Sequence, residues 1–160
     1  MAPRFLLFVA LCVLPALVAA TRPARNPFLV RGKVYCDTCN FGFETPKSTS
    51  IAGATVRIVC KDRKSNKVVY QREGKTNSEG NYQIQVDEDH QDQVCDAKVV
   101  RSPQLDCFKT SSGRDQARVI LTENNGIASR ERYANAMGFS KEGTVAGCSQ
   151  LLSLYQDSEN

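Results

Sequence analysis

The chain contains no tryptophan and a single histidine, His90, in 160 residues. So little imidazole argues against histidine-rich metal centres and leaves little catalytic material. No Gly-x-Ser-x-Gly elbow, phosphate-binding glycine loop or His-Glu-x-x-His pair occurs, which removes the common hydrolase, nucleotide and zinc-protease signatures. No Asn-x-Ser/Thr sequon is present either, so an N-linked glycan is not expected. Internal repeats, low-complexity tracts and long amphipathic helical patterns are missing. Nothing resembles a nucleic-acid-binding module. These absences point away from an enzyme, and neither a catalytic residue, a metal nor a cofactor is expected.

What is present begins with an address. Arg4 precedes an apolar run from Phe5 to Leu17, and Val18-Ala19-Ala20 offers the small residues of a cleavage site. That run is shorter than the ~20 residues that span a bilayer, and no other stretch approaches it. The chain therefore reads as a cleaved signal peptide over 1–20, a flexible arm over 21–27, one β domain over 28–155 and a frayed tail over 156–160. The product is expected to be secreted, without a membrane span. Its formal net charge of +4 falls by one with Arg4. Arg22, Arg25, Arg31 and Lys33 gather near the mature N-terminus, as a solvated arm or as an attraction for an acidic polymer such as wall pectate.

Period-two alternation dominates the rest. It marks strands from Phe28 to Tyr35, Ala54 to Cys60, Val68 to Gln71, Asn81 to Val86, Val94 to Arg101 and Ala117 to Thr122. Turn signals separate them: Lys61 to Lys67, Thr76 to Gly80 and Glu123 to Gly126. Tyr133 to Gly143 reads as irregular, and Leu151 to Tyr155 as a short helix. The expected fold is all-β, a disulfide-tied Greek-key sandwich or barrel of about seven strands with a short C-terminal helix. Phe41, Phe43, Tyr70, Tyr82, Phe108, Tyr133 and Phe139 are expected to pack in the core or against loops.

Cys12 leaves with the leader, and six cysteines remain: Cys36, Cys39, Cys60, Cys95, Cys107 and Cys148. An even count in an oxidising compartment implies three bridges, but spacing alone does not choose the pairing. Cys36 and Cys39 form a Cys-x-x-Cys pair. A redox pair would want a low-pKa thiolate at a helix N-terminus, whereas this pair ends a strand and encloses Asp37, whose charge would raise a thiol pKa. Zinc would need a second ligand pair, and none is evident. Bridging of both cysteines to distant partners is the expectation. The acidic run Asp87-Glu88-Asp89-His90-Gln91-Asp92 could hold calcium weakly, but it lacks the glycine and spaced carboxylates of an EF-hand and reads as a solvated turn. His90 as a general base would need a partner placed by the fold.

The segment Gly32-Lys33-Val34-Tyr35-Cys36-Asp37-Thr38-Cys39 resembles the signature of the plant Ole e I-like pollen protein family. Gly53-Ala54-Thr55-Val56, Asp89-His90-Gln91, Asn124-Asn125-Gly126-Ile127, Tyr133-Ala134-Asn135 and Cys148 look like further family positions, so the likeness covers nearly the whole mature chain. One departure is Asn40, where members commonly carry arginine. The resemblance implies the pairing Cys36–Cys107, Cys39–Cys148 and Cys60–Cys95. It also implies a potential allergen located in the extracellular space or cell wall.

From the resemblance the leading expectation is a ligand or modulator in pollen hydration and pollen-tube growth, meeting an extracellular protein such as a receptor-like kinase ectodomain. Its candidate loops are Asn40–Ser50, Lys61–Lys67, Asp87–Asp92 and Ser129–Gly143. The alternatives are a matrix protein binding acidic wall polysaccharide, a protease inhibitor, and an oxidoreductase using Cys36 and Cys39.

Overall fold

The computed structural model describes residues 26–157. The expected leader and all but the last two residues of the arm, with Arg22 and Arg25, lie outside the described residues, as do positions 158–160 of the expected tail. Ten strands and one helix follow in order: β1 (Phe28–Asp37), β2 (Thr49–Ser50), β3 (Thr55–Asp62), β4 (Val68–Lys75), β5 (Asn81–Val86), β6 (Gln93–Arg101), β7 (Cys107–Thr110), β8 (Gln116–Val119), β9 (Glu131–Tyr133), β10 (Met137–Lys141) and α1 (Cys148–Asp157).

Strand β1 organises the first sheet. Its N-terminal half pairs with β5 on one edge, antiparallel, and with β9 on the other, parallel. Its C-terminal half pairs with β2 and, in parallel, with β10, which carries β7 at the outer edge. The second sheet is antiparallel throughout, in the order β4-β3-β6-β8. Alternation explains the core between them. Val30 and Val34 from β1, Tyr82, Ile84 and Val86 from β5, Val56, Ile58 and Cys60 from β3, and Cys95, Ala97 and Val99 from β6 all face inward.

The molecule is therefore a two-sheet sandwich, and the expectation of a barrel is wrong. Among the described residues no ladder joins the edge strands of the two sheets. At the seam between β4 and β5 a side chain lies against the Gly74 backbone. A Cβ on Gly74 would lie 2.6 Å from Ile84 Cγ1, so the Ile84 side chain fills the space between the two backbones. Strands held at packing distance do not exchange the hydrogen bonds that would close a sheet.

The strand count of about seven is also too low, because β2, β7, β9 and β10 are only two to five residues long. The segment read as irregular contains β10, whose Met137 and Phe139 are buried. The strand expected to run to Thr122 leaves its ladder after Val119. The Ile120 and Thr122 carbonyls accept from the Arg132 guanidinium, at 2.9 and 3.0 Å, and the Leu121 carbonyl accepts from His90 N–H. Helix α1 spans ten residues rather than the expected five. No helix among the described residues is long and apolar enough to cross a membrane.

Candidate functional site

The signature segment serves structure at nearly every position. Cys36 is bonded to Cys107 and Cys39 to Cys148, while Cys60 and Cys95 join β3 to β6 where the two residues face each other in register. All six cysteines are buried. Neither member of the Cys-x-x-Cys pair has a thiol, which removes the oxidoreductase reading. Between them, the Asp37 carboxylate accepts the backbone N–H of Cys39 at 3.2 Å and of Gly42 at 2.7 Å, tying the turn after β1. Thr38 donates its hydroxyl to the Lys47 carbonyl at 2.8 Å. Val34 and Tyr35 are buried, with the Tyr35 ring against the backbone of Gly138. Asn40 adopts φ 58°, in the left-handed region that asparagine tolerates, and its side chain donates to the Lys141 carbonyl.

His90 is likewise structural, and the run around it is not simply a solvated turn. The imidazole is 5% exposed, contacts Gln93 Oε1 at 2.8 Å and the Asp87 carbonyl at 3.1 Å, and lies 4.7 Å from the Tyr70 ring. Asp89 holds the neighbouring loop by accepting from the Glu123 N–H and the Thr122 hydroxyl. A ring nitrogen of His90 and the Cys60 and Cys95 sulfurs lie within 4.8 Å of one another. The two sulfurs are joined in a disulfide and offer no thiolate to a metal.

Among the described residues two surfaces combine a cleft with exposed side chains suited to recognition. The first is a cleft of about 660 Å³ beside Gly32. It opens where β1 passes from its pairing with β9 to that with β10: residues 134–136 stand opposite positions 32–33, and the Ala134 N–H still donates to the Arg31 carbonyl at 2.8 Å. Arg31, Lys33 and Lys75, the amides Asn77, Asn81 and Gln83, and Tyr82 and Tyr133 line it. Gly32 at its floor has no side chain because the Tyr82 ring occupies that space: a Cβ would lie 2.6 Å from Tyr82 Cζ. Burial pushes the Tyr82 phenol well above the ordinary tyrosine value. The Tyr82 hydroxyl and Arg31 Nε are both buried without a hydrogen-bond partner. Tyr133 is 73% exposed, and its hydroxyl donates to Glu131 at 2.9 Å. That hydrogen bond, the nearby carboxylate and some desolvation raise its pKa.

The second surface is an apolar groove of about 470 Å³ lined by Val100, Arg101, Ser102, Gln104, Leu105 and Phe108. Leu105 is 92% and Phe108 47% exposed. Sequence reasoning missed this groove and placed Phe108 and Tyr133 in packing roles. Alternation within a strand reports which side faces the core, not whether the outer face is covered. Of the other aromatics expected to pack, Tyr82 and Phe139 are buried, and Phe43 meets Tyr155 of α1 edge-on at 5.3 Å.

Residues 26–156 match the family model described as pollen protein Ole e 1 like. The chain is 46% identical over 156 residues to Protein DOWNSTREAM OF FLC of Arabidopsis thaliana, covering 97% of this chain and 94% of that one. It is 40% identical over 153 residues to the anther-specific protein LAT52 of Solanum lycopersicum, covering 95% and 94%. Among solved structures, the major plantain pollen allergen Pla l 1 matches with a TM-score of 0.69 and 31% identity, over 76% of this chain and 99% of that one.

Proposed function

The chain belongs to the Ole e 1-like pollen protein family, and we propose that it acts as a ligand or modulator in pollen hydration and pollen-tube growth through the ectodomain of a receptor-like kinase. Its family makes it a secreted, non-enzymatic extracellular protein. The observation that carries the proposal is the Val100–Leu105–Phe108 surface. Large apolar side chains held open to water on a rigid scaffold lose little conformational freedom on binding and gain from burial. Two strands of the sandwich, β6 and β7, bracket the groove, and the Cys36–Cys107 and Cys60–Cys95 bridges fix those strands. The kinship extends the proposal to allergenicity, since a solved relative is a plantain pollen allergen.

The test is affinity capture from germinating pollen with the oxidised protein as bait, beside a Leu105→Ser/Phe108→Ser variant. A receptor-like kinase ectodomain should be recovered, should survive high salt, and should bind the variant about tenfold or more weakly, as expected for the loss of central apolar anchors. Recovery of wall polymer alone, released by salt, would sink the receptor reading.

A further inference from the structure

We propose that the cleft beside Gly32 is a binding site for an acidic oligosaccharide, a chain of uronic-acid rings each carrying a carboxylate and free hydroxyls. Three cations and no carboxylate line it. Arg31 and Lys33 are each held from the rim, by Glu131 at 2.8 Å and by Glu44 at 2.5 Å. Lys75 makes no ion pair among the described residues. The charge left to a ligand is that of Lys75, which a neutral ligand would leave unanswered and an apolar one would strip of water without replacement.

The uncharged lining selects for hydroxyls. Asn77 uses its carbonyl oxygen to accept from Glu79 and Asn81 N–H, at 3.0 and 2.9 Å, which fixes the side chain and leaves its NH₂ to donate. The Gln83 side chain is without a hydrogen bond among the described residues and offers both a donor and an acceptor. Tyr133 stands at the wall as an exposed ring pinned through its hydroxyl, a flat apolar face of the kind that packs against the C–H face of a sugar. At the floor, Tyr82 Oη and Arg31 Nε are buried polar atoms without partners. Such atoms are rare in folded proteins and call for an explanation. Both belong to residues that line the cleft.

This site shares no residue with the apolar groove, so it stands or falls independently of the receptor reading. The experiment is calorimetric titration of the oxidised protein with a galacturonate oligomer at physiological salt, with backbone amide shifts mapping the contact. The methyl-esterified oligomer and polyglutamate are titrated in parallel. Saturable binding with shifts at Gly32, Gln83 and Tyr133 is expected. The Lys75→Gln and Tyr133→Ala variants should each weaken it about twofold to fivefold, the span expected of one exposed charge or one exposed ring contact in a wet site. Lys64→Gln, on the distant β3–β4 turn, should leave it unchanged. The methyl ester should bind at least about tenfold more weakly, because the charge complementarity is removed. Absence of saturable binding, or wild-type affinity in both cleft variants, would overturn the proposal. Polyglutamate binding as tightly as the sugar, with the same sensitivity to both variants, would reassign the cleft to acidic peptides.

Discussion

Replacing Tyr82 by phenylalanine tests whether the hydroxyl beneath the cleft is as isolated as the structure shows. Tyr82 is 3% exposed, and its Oη has no hydrogen-bond partner. A buried donor left unpaired costs about 1–3 kcal/mol of lost hydration. Removing it recovers that cost and forfeits only the dispersion contacts of one oxygen, tenths of a kcal/mol. The Phe variant is therefore expected to be more stable by about 0.5–2 kcal/mol, a rise in Tm of roughly 2–4 °C per kcal/mol for a domain of this size. Equilibrium unfolding in urea with the disulfides intact is the assay, and the slope against denaturant should be unchanged.

The same substitution has a signature in alkali. Burial raises the folded phenol above its ordinary value, whereas the unfolded phenol loses its proton near pH 10. Above that pH the folded state binds more protons than the unfolded one, so stability falls as pH rises, by about 1.4 kcal/mol per pH unit from this group. The Phe variant lacks that contribution and should decline more shallowly. Tyr35 and Tyr133, whose pKa values are also raised, retain theirs. A Phe variant less stable than the parent by about 1 kcal/mol or more at neutral pH would refute the reasoning, because a loss of that size means a real hydrogen bond was removed.

Two further substitutions probe what closes the sandwich. Arg132 is 4% exposed, feeds four backbone carbonyls and lies 4.9 Å from the centroid of the Phe28 ring. Arg132→Met should cost about 3 kcal/mol or more in urea unfolding, because those carbonyls lose a charged donor. Arg132→Lys should recover less than half of that, since an ammonium does not reproduce the planar fork; full recovery would show that charge alone matters. Removing the Cys39–Cys148 bridge by a double change to serine frees a link of 109 residues and should cost about 3–5 kcal/mol by the chain-entropy estimate. Hydrogen exchange should quicken first in α1, where the remaining ties include the Phe43–Tyr155 contact and the Val145 N–H to the Thr38 carbonyl; unchanged exchange there would show that packing, not the bridge, holds the helix.

The parts of this fold legible in the sequence are those that announce themselves locally. Asn81 to Val86 alternates without a fault, and the corresponding strand is buried at every second residue. The parallel strands β9 and β10 are not legible. They are short, and their partner β1 lies at the other end of the chain, so nothing nearby in sequence marks Met137 or Phe139 as core. Sandwich against barrel was undecidable for the same reason. It turns on whether edge strands such as β4 and β5 pair or pack, and their individual patterns suit either arrangement. His90 hides in an acidic run because its burial depends on Tyr70 and on the Leu121 carbonyl, neither of them a sequence neighbour. Of the cleft's charges, Arg31 and Lys33 stood out beforehand, as part of the basic cluster near the mature N-terminus. Lys75, Asn77, Gln83 and Tyr133 reach it through topology.

The segment most conspicuous in the sequence offers little of its chemistry to solvent. The Asp37 carboxylate is occupied by two amides, the Thr38 hydroxyl by a carbonyl, and both cysteines by distant sulfurs. A group already bonded on a buried site cannot also recognise a partner without breaking something that holds β1. Recognition must therefore fall to side chains that this framework spares. Gly32 connects the two roles. Its missing side chain admits the Tyr82 ring on the core side, while its backbone lies in the floor of the cleft between Arg31 and Lys33. A Cβ there would lie 2.6 Å from Tyr82 Cζ, so the glycine follows from core packing, and the cleft depends on it through the Tyr82 ring that it seats.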